Sequence, residues 1–217
     1  MSYQIGDKFP DIELPIIGKE NKTIRISDFR GEKVLLFMWG SWWGCREQLP
    51  GWQQFYEKNQ DKDFELITTA IEFQGEEAAL PFIEKADTSF INTIDTTNKL
   101  GETFGFKLIP NGIFVDEKGI IRFQLFGGFS HRKKEILEVI QQLVDGEIKS
   151  FDSNIWKEDE ADFEQDNSTK NELINTLVQL GQEYLSNDKE KQALKQYERA
   201  LELDPDNFVI RKQIWLI

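Results

Sequence analysis

The sequence predicts an α/β fold, a mixed sheet flanked by helices, with a small all-α unit at the carboxy terminus. Three observations carry this. A continuous apolar run, Val34-Leu35-Leu36-Phe37-Met38-Trp39, lies between Gly31 and Gly40 and suits a strand buried on both faces. Two apolar runs flank Glu117-Lys118-Gly119 and read as an antiparallel hairpin, in which the glycine supplies the positive φ of the turn. Between Leu177 and Pro205 the apolar and small residues recur at helical spacing.

Taken in order, the buried run is the central strand. Leu49, Trp52, Phe55 and Tyr56 follow at i, i+3, i+6 and i+7, the stripe of a helix over 49–58, and Phe64-Glu65-Leu66-Ile67 starts the next strand. Residues 78–86 form a second helical stretch, with Pro81 marking its start or a kink. Residues 95–104 suit a short third helix. The hairpin arms are Gly112 to Asp116 and Ile120 to Leu125. Ser130 is a candidate N-cap for a helix through Val144, whose Ile136, Leu137, Val139, Ile140 and Leu143 make an apolar face ending before Asp145-Gly146. Strand-helix-strand early and hairpin-helix late imply a mixed sheet. The expected boundaries are 1–145 for this domain, 146–169 for an acidic linker containing Glu158-Asp159-Glu160 and Asp162, and 170–217 for the helical unit.

Composition narrows the function classes. Seventeen Phe and six Trp in 217 residues supply material for a packed interior. A net charge of -13 opposes binding to phosphate backbones and anionic lipid, so neither nucleic acid nor a membrane is an expected partner. Arg132, Lys133 and Lys134 are an isolated trio, read as a solvated helix start. Residues 1–7 lack a basic run followed by an apolar stretch, and no window approaches the ~20 apolar residues of a membrane span, so the expected location is cytoplasmic. Cys45 is the sole cysteine and His131 the sole histidine, which leaves no intrachain disulfide and no multi-cysteine zinc site. No metal or cofactor is expected, His131 is assigned to the surface, and Glu72 to a solvated strand end.

Cys45 stands where the buried strand gives way to a helix. Helix-terminal N–H groups and the neighbouring Arg46 would favour its thiolate, with Glu47 opposing. The segment Trp39-Gly40-Ser41-Trp42, with Cys45-Arg46 and Pro50, resembles the W-A-S-W-C-x-x-C-R-x-E-x-P signature of TlpA-type thioredoxin-like thiol-disulfide oxidoreductases in the redoxin/peroxiredoxin (AhpC/TSA) superfamily. Gly6 to Leu14 resembles the family's G-x-x-x-P-x-F-x-L segment, Ile26 to Gly31 its L-x-D-x-x-G step, and Phe114 to Gly119 its F-(I/V)-D-x-x-G hairpin. Phe104 to Pro110 resembles the approach to the fold's cis-proline. The resemblance spans roughly residues 6–145 and implies a thioredoxin-like sheet, a cis Ile109–Pro110 bond, and an Ile109 backbone able to pair with an extended substrate segment. It also implies no cofactor.

The departure concerns the dithiol. Cys45 matches the motif's second cysteine, Trp42 or Trp43 takes the place of the first according to the alignment, and Gln48 replaces the motif's Glu. One thiol cannot both attack a disulfide and resolve the mixed intermediate. The first expectation is therefore a redox protein in which Cys45 alone reacts, by thiol-disulfide exchange or peroxide reduction, with an external thiol reductant. Trp42, Trp43, Arg46, Ile109 and Pro110 would support it. The alternative is a non-catalytic protein-binding module in which Cys45 is a small buried hydrophobe.

In the carboxy-terminal unit, Leu177, Leu180, Gly181, Tyr184, Ala193, Tyr197, Ala200 and Pro205 fall at the spacings of the tetratricopeptide signature. Such a hairpin cannot bury its apolar face alone, so something must cover it. Phe208 to Ile217 suggest a third, capping helix, and repeats of this type imply a protein or peptide partner.

Overall fold

The computed structural model describes residues 3–156 and 168–217. A short antiparallel pair, β1 (Leu14–Pro15) and β2 (Thr23–Ile24), precedes the central strand β3 (Lys33–Trp39). Then come α1 (Leu49–Glu57), β4 (Phe64–Ile71), α2 (Leu80–Ala86), β5 (Ile91–Asp95), α3 (Lys99–Phe104), the hairpin β6 (Asn111–Val115) and β7 (Ile121–Leu125), and α4 (Lys134–Asp145). The sheet order is β5-β4-β3-β6-β7, with β3-β4 and β4-β5 parallel and the other pairs antiparallel. This is the mixed sheet the sequence predicts. β3 lies in the middle, and Val34 to Trp39 are buried on both faces, which explains an apolar run without alternation.

Three details differ from expectation. β5 was concealed by polar residues: Thr93 is fully buried and its hydroxyl meets that of Thr69 at 2.8 Å, so a Thr ladder replaces the apolar signal. Asp95 ends this strand rather than starting a helix, and its carboxylate accepts from the Lys99 and Leu100 N–H groups at 2.9 and 2.8 Å. Helix α4 starts at Lys134 and not at Ser130, because Ser130 closes a separate turn, its carbonyl accepting from Lys133 N–H and its hydroxyl from Arg132 N–H.

Past α4, Phe151 and Trp156 pack on Phe123 of β7, Trp156 edge-on and Phe151 tilted, and the Phe151 N–H donates to the Arg122 carbonyl at 2.9 Å. The acidic cluster Glu158 to Asp162 and Phe163 lie outside the described residues. The chain then forms α5 (Ser168–Leu185), α6 (Glu190–Leu203) and α7 (Phe208–Ile214). The first two cross closely because Gly181 has no side chain: a Cβ there would stand 2.4 Å from Cε1 of the buried Tyr197.

The cover for this hairpin is twofold. α7 supplies Val209 and Ile210, both buried, and the sheet domain supplies the rest. Phe73 meets Tyr197 with ring centroids 5.4 Å apart, Lys107 pairs with Asp204 at 2.7 Å, and the Val209 N–H donates to the Lys107 carbonyl at 3.3 Å. Gln213 is fully buried against the end of β4. Helices and sheet therefore share one apolar core.

Candidate functional site

The site lies where β3, β4 and the approach to β6 end on the same side of the sheet. Antiparallel register places Asn111 opposite Met38, so the cis Ile109–Pro110 peptide arrives beside Trp39 and Gly40. Parallel register pairs Trp39 with Ala70; two residues on, Ser41 meets Glu72, and the Ser41 N–H donates to Glu72 Oε1. Cys45 follows in a tight turn, Gly44–Gln48, one turn before α1 begins at Leu49.

Cys45 is only 2% exposed. Its Sγ accepts from the Gly40 N–H at 3.4 Å and returns its own proton toward the Gly40 carbonyl at 3.6 Å. Burial pushes the thiol up to about 12, outweighing the backbone N–H groups that favour the thiolate, and the nearby Glu72 pushes it in the same direction. This corrects the expected activation. Arg46 does not serve the sulfur: its guanidinium donates to the Ser41 carbonyl, lies 4.8 Å from the Phe82 ring centroid, and has Glu47 at 3.6 Å.

The two tryptophans divide the roles the sequence left open. Trp42 is half-buried, and its indole converges with the Ile109 side chain on Gly40, where a Cβ would stand 2.8 Å from both Trp42 Nε1 and Ile109 Cδ1. These two side chains cover the backbone that holds the thiol. Trp43 is 45% exposed and forms the lip. Neither the Ile109 N–H nor its carbonyl has a hydrogen-bond partner among the described residues, although the residue as a whole is buried.

Glu72 is the residue sequence reasoning misjudged most. It is not a solvated strand end but fully buried, with Oε2 lacking a partner among the described residues. Burial raises its carboxyl to about 7 against the opposing influence of Ser41 and the Gln213 amide. An acid following the buried strand Phe64–Ile71 was the available signal; the register that tucks it under Ser41 was not visible. Gln48, at the position of the motif's Glu, is also buried. His131 is half-buried rather than superficial: it packs edge-on against Trp52 at 5.6 Å, and burial lowers its pKa, with Arg132 adding to the effect. Among the described residues no group of three His, Cys, Asp or Glu is placed to hold a metal, and no helix is long and apolar enough to cross a membrane.

The AhpC/TSA family profile matches residues 5–124, which include the whole of this site. The chain belongs to the AhpC/TSA family. The tetratricopeptide repeat profile matches residues 174–207. Among relatives of this family member is the thiol-disulfide oxidoreductase ResA of Oceanobacillus iheyensis, 28% identical over 123 residues that make up 55% of this chain and 63% of that protein. A structure from Chlorobium tepidum, provisionally assigned as a thiol:disulfide interchange protein DsbE, is 26% identical with a TM-score of 0.59, covering 66% of this chain and 99% of that one. A thiol:disulfide interchange protein from Bacteroides sp., 22% identical, covers 67% of this chain and 93% of its own with a TM-score of 0.56, a likeness of fold alone. This AhpC/TSA chain thus has the thioredoxin-like scaffold of thiol-disulfide oxidoreductases with a single cysteine, Cys45.

Proposed function

We propose that this protein is a non-catalytic, protein-binding member of the family. The observation that carries this is Cys45: buried, held by Gly40 and pushed up to about 12, it is a thiol and not a thiolate at neutral pH, and only the thiolate attacks disulfides or peroxides. The unpartnered Ile109 backbone and the exposed Trp43 suit an extended polypeptide that adds as a strand and is released unchanged.

The test is binding of an unfolded, carboxymethylated polypeptide to the wild-type chain and to Cys45→Ser. Equal affinity is expected. Binding that depends on Cys45, or a covalent adduct with an unblocked polypeptide, overturns the reading.

A second reading is favoured by the family membership itself. In single-thiol exchange, the Cys45 thiolate would attack a partner disulfide, form a mixed disulfide and expel one partner thiolate, and an external thiol would then take over the partner sulfur and return Cys45 reduced. It requires movement of the Trp42–Ile109 cover.

A further inference from the structure

Eight large apolar side chains remain exposed among the described residues, and five of them, Trp43, Leu108, Phe208, Trp215 and Leu216, belong to the active-site loop, the approach to Pro110, or α7 and its end. Exposed apolar surface gathered in this way marks an interaction site more often than chance scatter does. The three segments are adjacent in space. The Val209 N–H donates to the Lys107 carbonyl, next to Leu108, and the Lys212 ammonium lies 3.6 Å from the Trp215 ring centroid and 5.8 Å from that of Trp43.

The placement of α7 is rigidly specified. Gln213 is fully buried, accepting from the Phe73 N–H and donating to the Ile71 carbonyl, both at 3.1 Å, which leaves Lys212 and Trp215 facing outward beside Trp43. The Lys212 ammonium has neither an ion pair nor a hydrogen bond among the described residues, in a chain with a net charge of -13. Arg211 likewise makes no ion pair and lies over the Phe208 ring at 5.0 Å. A helix end accounts for cations in its last turn. It does not account for one held between two exposed indoles.

We infer that α7 is a wall of the binding site: Trp43, Lys212 and Trp215, together with the unpartnered backbone of Ile109, take an extended polypeptide segment that carries apolar side chains together with carboxylates. The aromatics supply apolar contact, the Lys212 ammonium supplies the preference for acidic residues, and the chain's own acidity elsewhere directs such a segment to this face. This rests on the binding-module reading and names its partner class. The carboxy-terminal unit then contributes a wall to the thioredoxin-like site and does not act as a separate adaptor.

Three fluorescein-labelled octapeptides decide it: Gly-Leu-Glu-Leu-Phe-Glu-Leu-Gly and its counterparts with both Glu replaced by Gln or by Lys. Anisotropy is read with the full chain, Lys212→Glu and Trp215→Ala, after circular dichroism shows each variant folded. The Glu peptide is expected to bind roughly tenfold tighter than the Gln peptide, to lose roughly tenfold with either variant, and the Lys peptide to gain with Lys212→Glu. Equal binding of all peptides to all proteins overturns the role of α7 and leaves the binding-module reading standing. Binding of no peptide also overturns it, and the unfolded-polypeptide experiment above then decides the module reading separately.

Discussion

Gln213 Nε2 donates to the Ile71 carbonyl at 3.1 Å, so a side-chain amide from the last helix occupies sheet space that β3 has already left. The same amide accepts from the Phe73 N–H at 3.1 Å. In a strand the carbonyl of one residue and the N–H two residues on point the same way, and a primary amide offers the matching acceptor and donor. The Glu72 N–H points oppositely, to the Asp95 carbonyl. The β4 end is thus satisfied on both sides only while α7 is docked.

Gln213→Ala should leave the Ile71 carbonyl and the Phe73 N–H without partners in a buried place, at about 1–3 kcal/mol for each orphaned group. Urea denaturation should show the loss, and limited proteolysis should find α7 cleaved faster than in the wild type. Unchanged stability and cleavage would mean the docking is not held by this residue.

Glu72 makes stability depend on pH in a definite direction. Its folded pKa of about 7 lies above the 4.5 of an ordinary glutamate, so the folded state retains a proton that the unfolded state has already lost. The associated stability is full below about 4.5 and is lost as pH rises toward 7, with a magnitude on the order of 3 kcal/mol. Glu72→Gln should flatten this slope and be the more stable protein at pH 8. Parallel pH-stability profiles for the two proteins between pH 5 and pH 8 would refute the assignment.

For Cys45, a pKa of about 12 leaves roughly one thiolate in ten thousand thiols at pH 8, against a substantial fraction for a free thiol near ~8.5. Alkylation by iodoacetamide should therefore run at least about a hundredfold slower in the folded chain than in urea. Rapid alkylation of the folded chain would restore the single-thiol reading.

Counting back from Cys45, Trp42 holds the first position of a C-x-x-C spacing. Trp42→Cys should supply the missing thiol and remove half of the cover over Gly40. Mild oxidation should then take the free-thiol count from two to none, and the reduced protein should cleave insulin disulfides, which the wild type should not. Two free thiols surviving oxidation would show that the loop geometry, and not only the residue, has departed from the dithiol enzymes.

Gly112 lies in β6 beneath Phe129, where a Cβ would stand 2.5 Å from the ring. That ring is fully buried and stacked on Trp52 at 5.1 Å and 6°, so it has no room to withdraw. Gly112→Ala should cost about 1–3 kcal/mol by overpacking, read as a lowered urea midpoint with an unchanged slope. A midpoint equal to that of the wild type would show the stack to be yielding.

Much of this protein was written locally. The unalternating run from Val34 to Trp39 announced a strand covered on both faces, Gly119 the hairpin, and Gly181 with Tyr197 the close helix pair, because each depends on nearby sequence within one short segment or helical hairpin. The cis Ile109–Pro110 bond and the missing first cysteine were legible by resemblance to the family's motif. Long-range register decided the rest. That Trp39 pairs with Ala70 puts a carboxyl at Ser41; that Gln213 reaches the end of β4 closes the space above it; and that Trp42 and Ile109 meet over Gly40 covers the backbone that holds the one thiol. Sequence showed which residues were available for chemistry, but the ionisation of Cys45 and Glu72 follows from the water excluded around them, and that exclusion comes from segments as far away in the chain as residue 213.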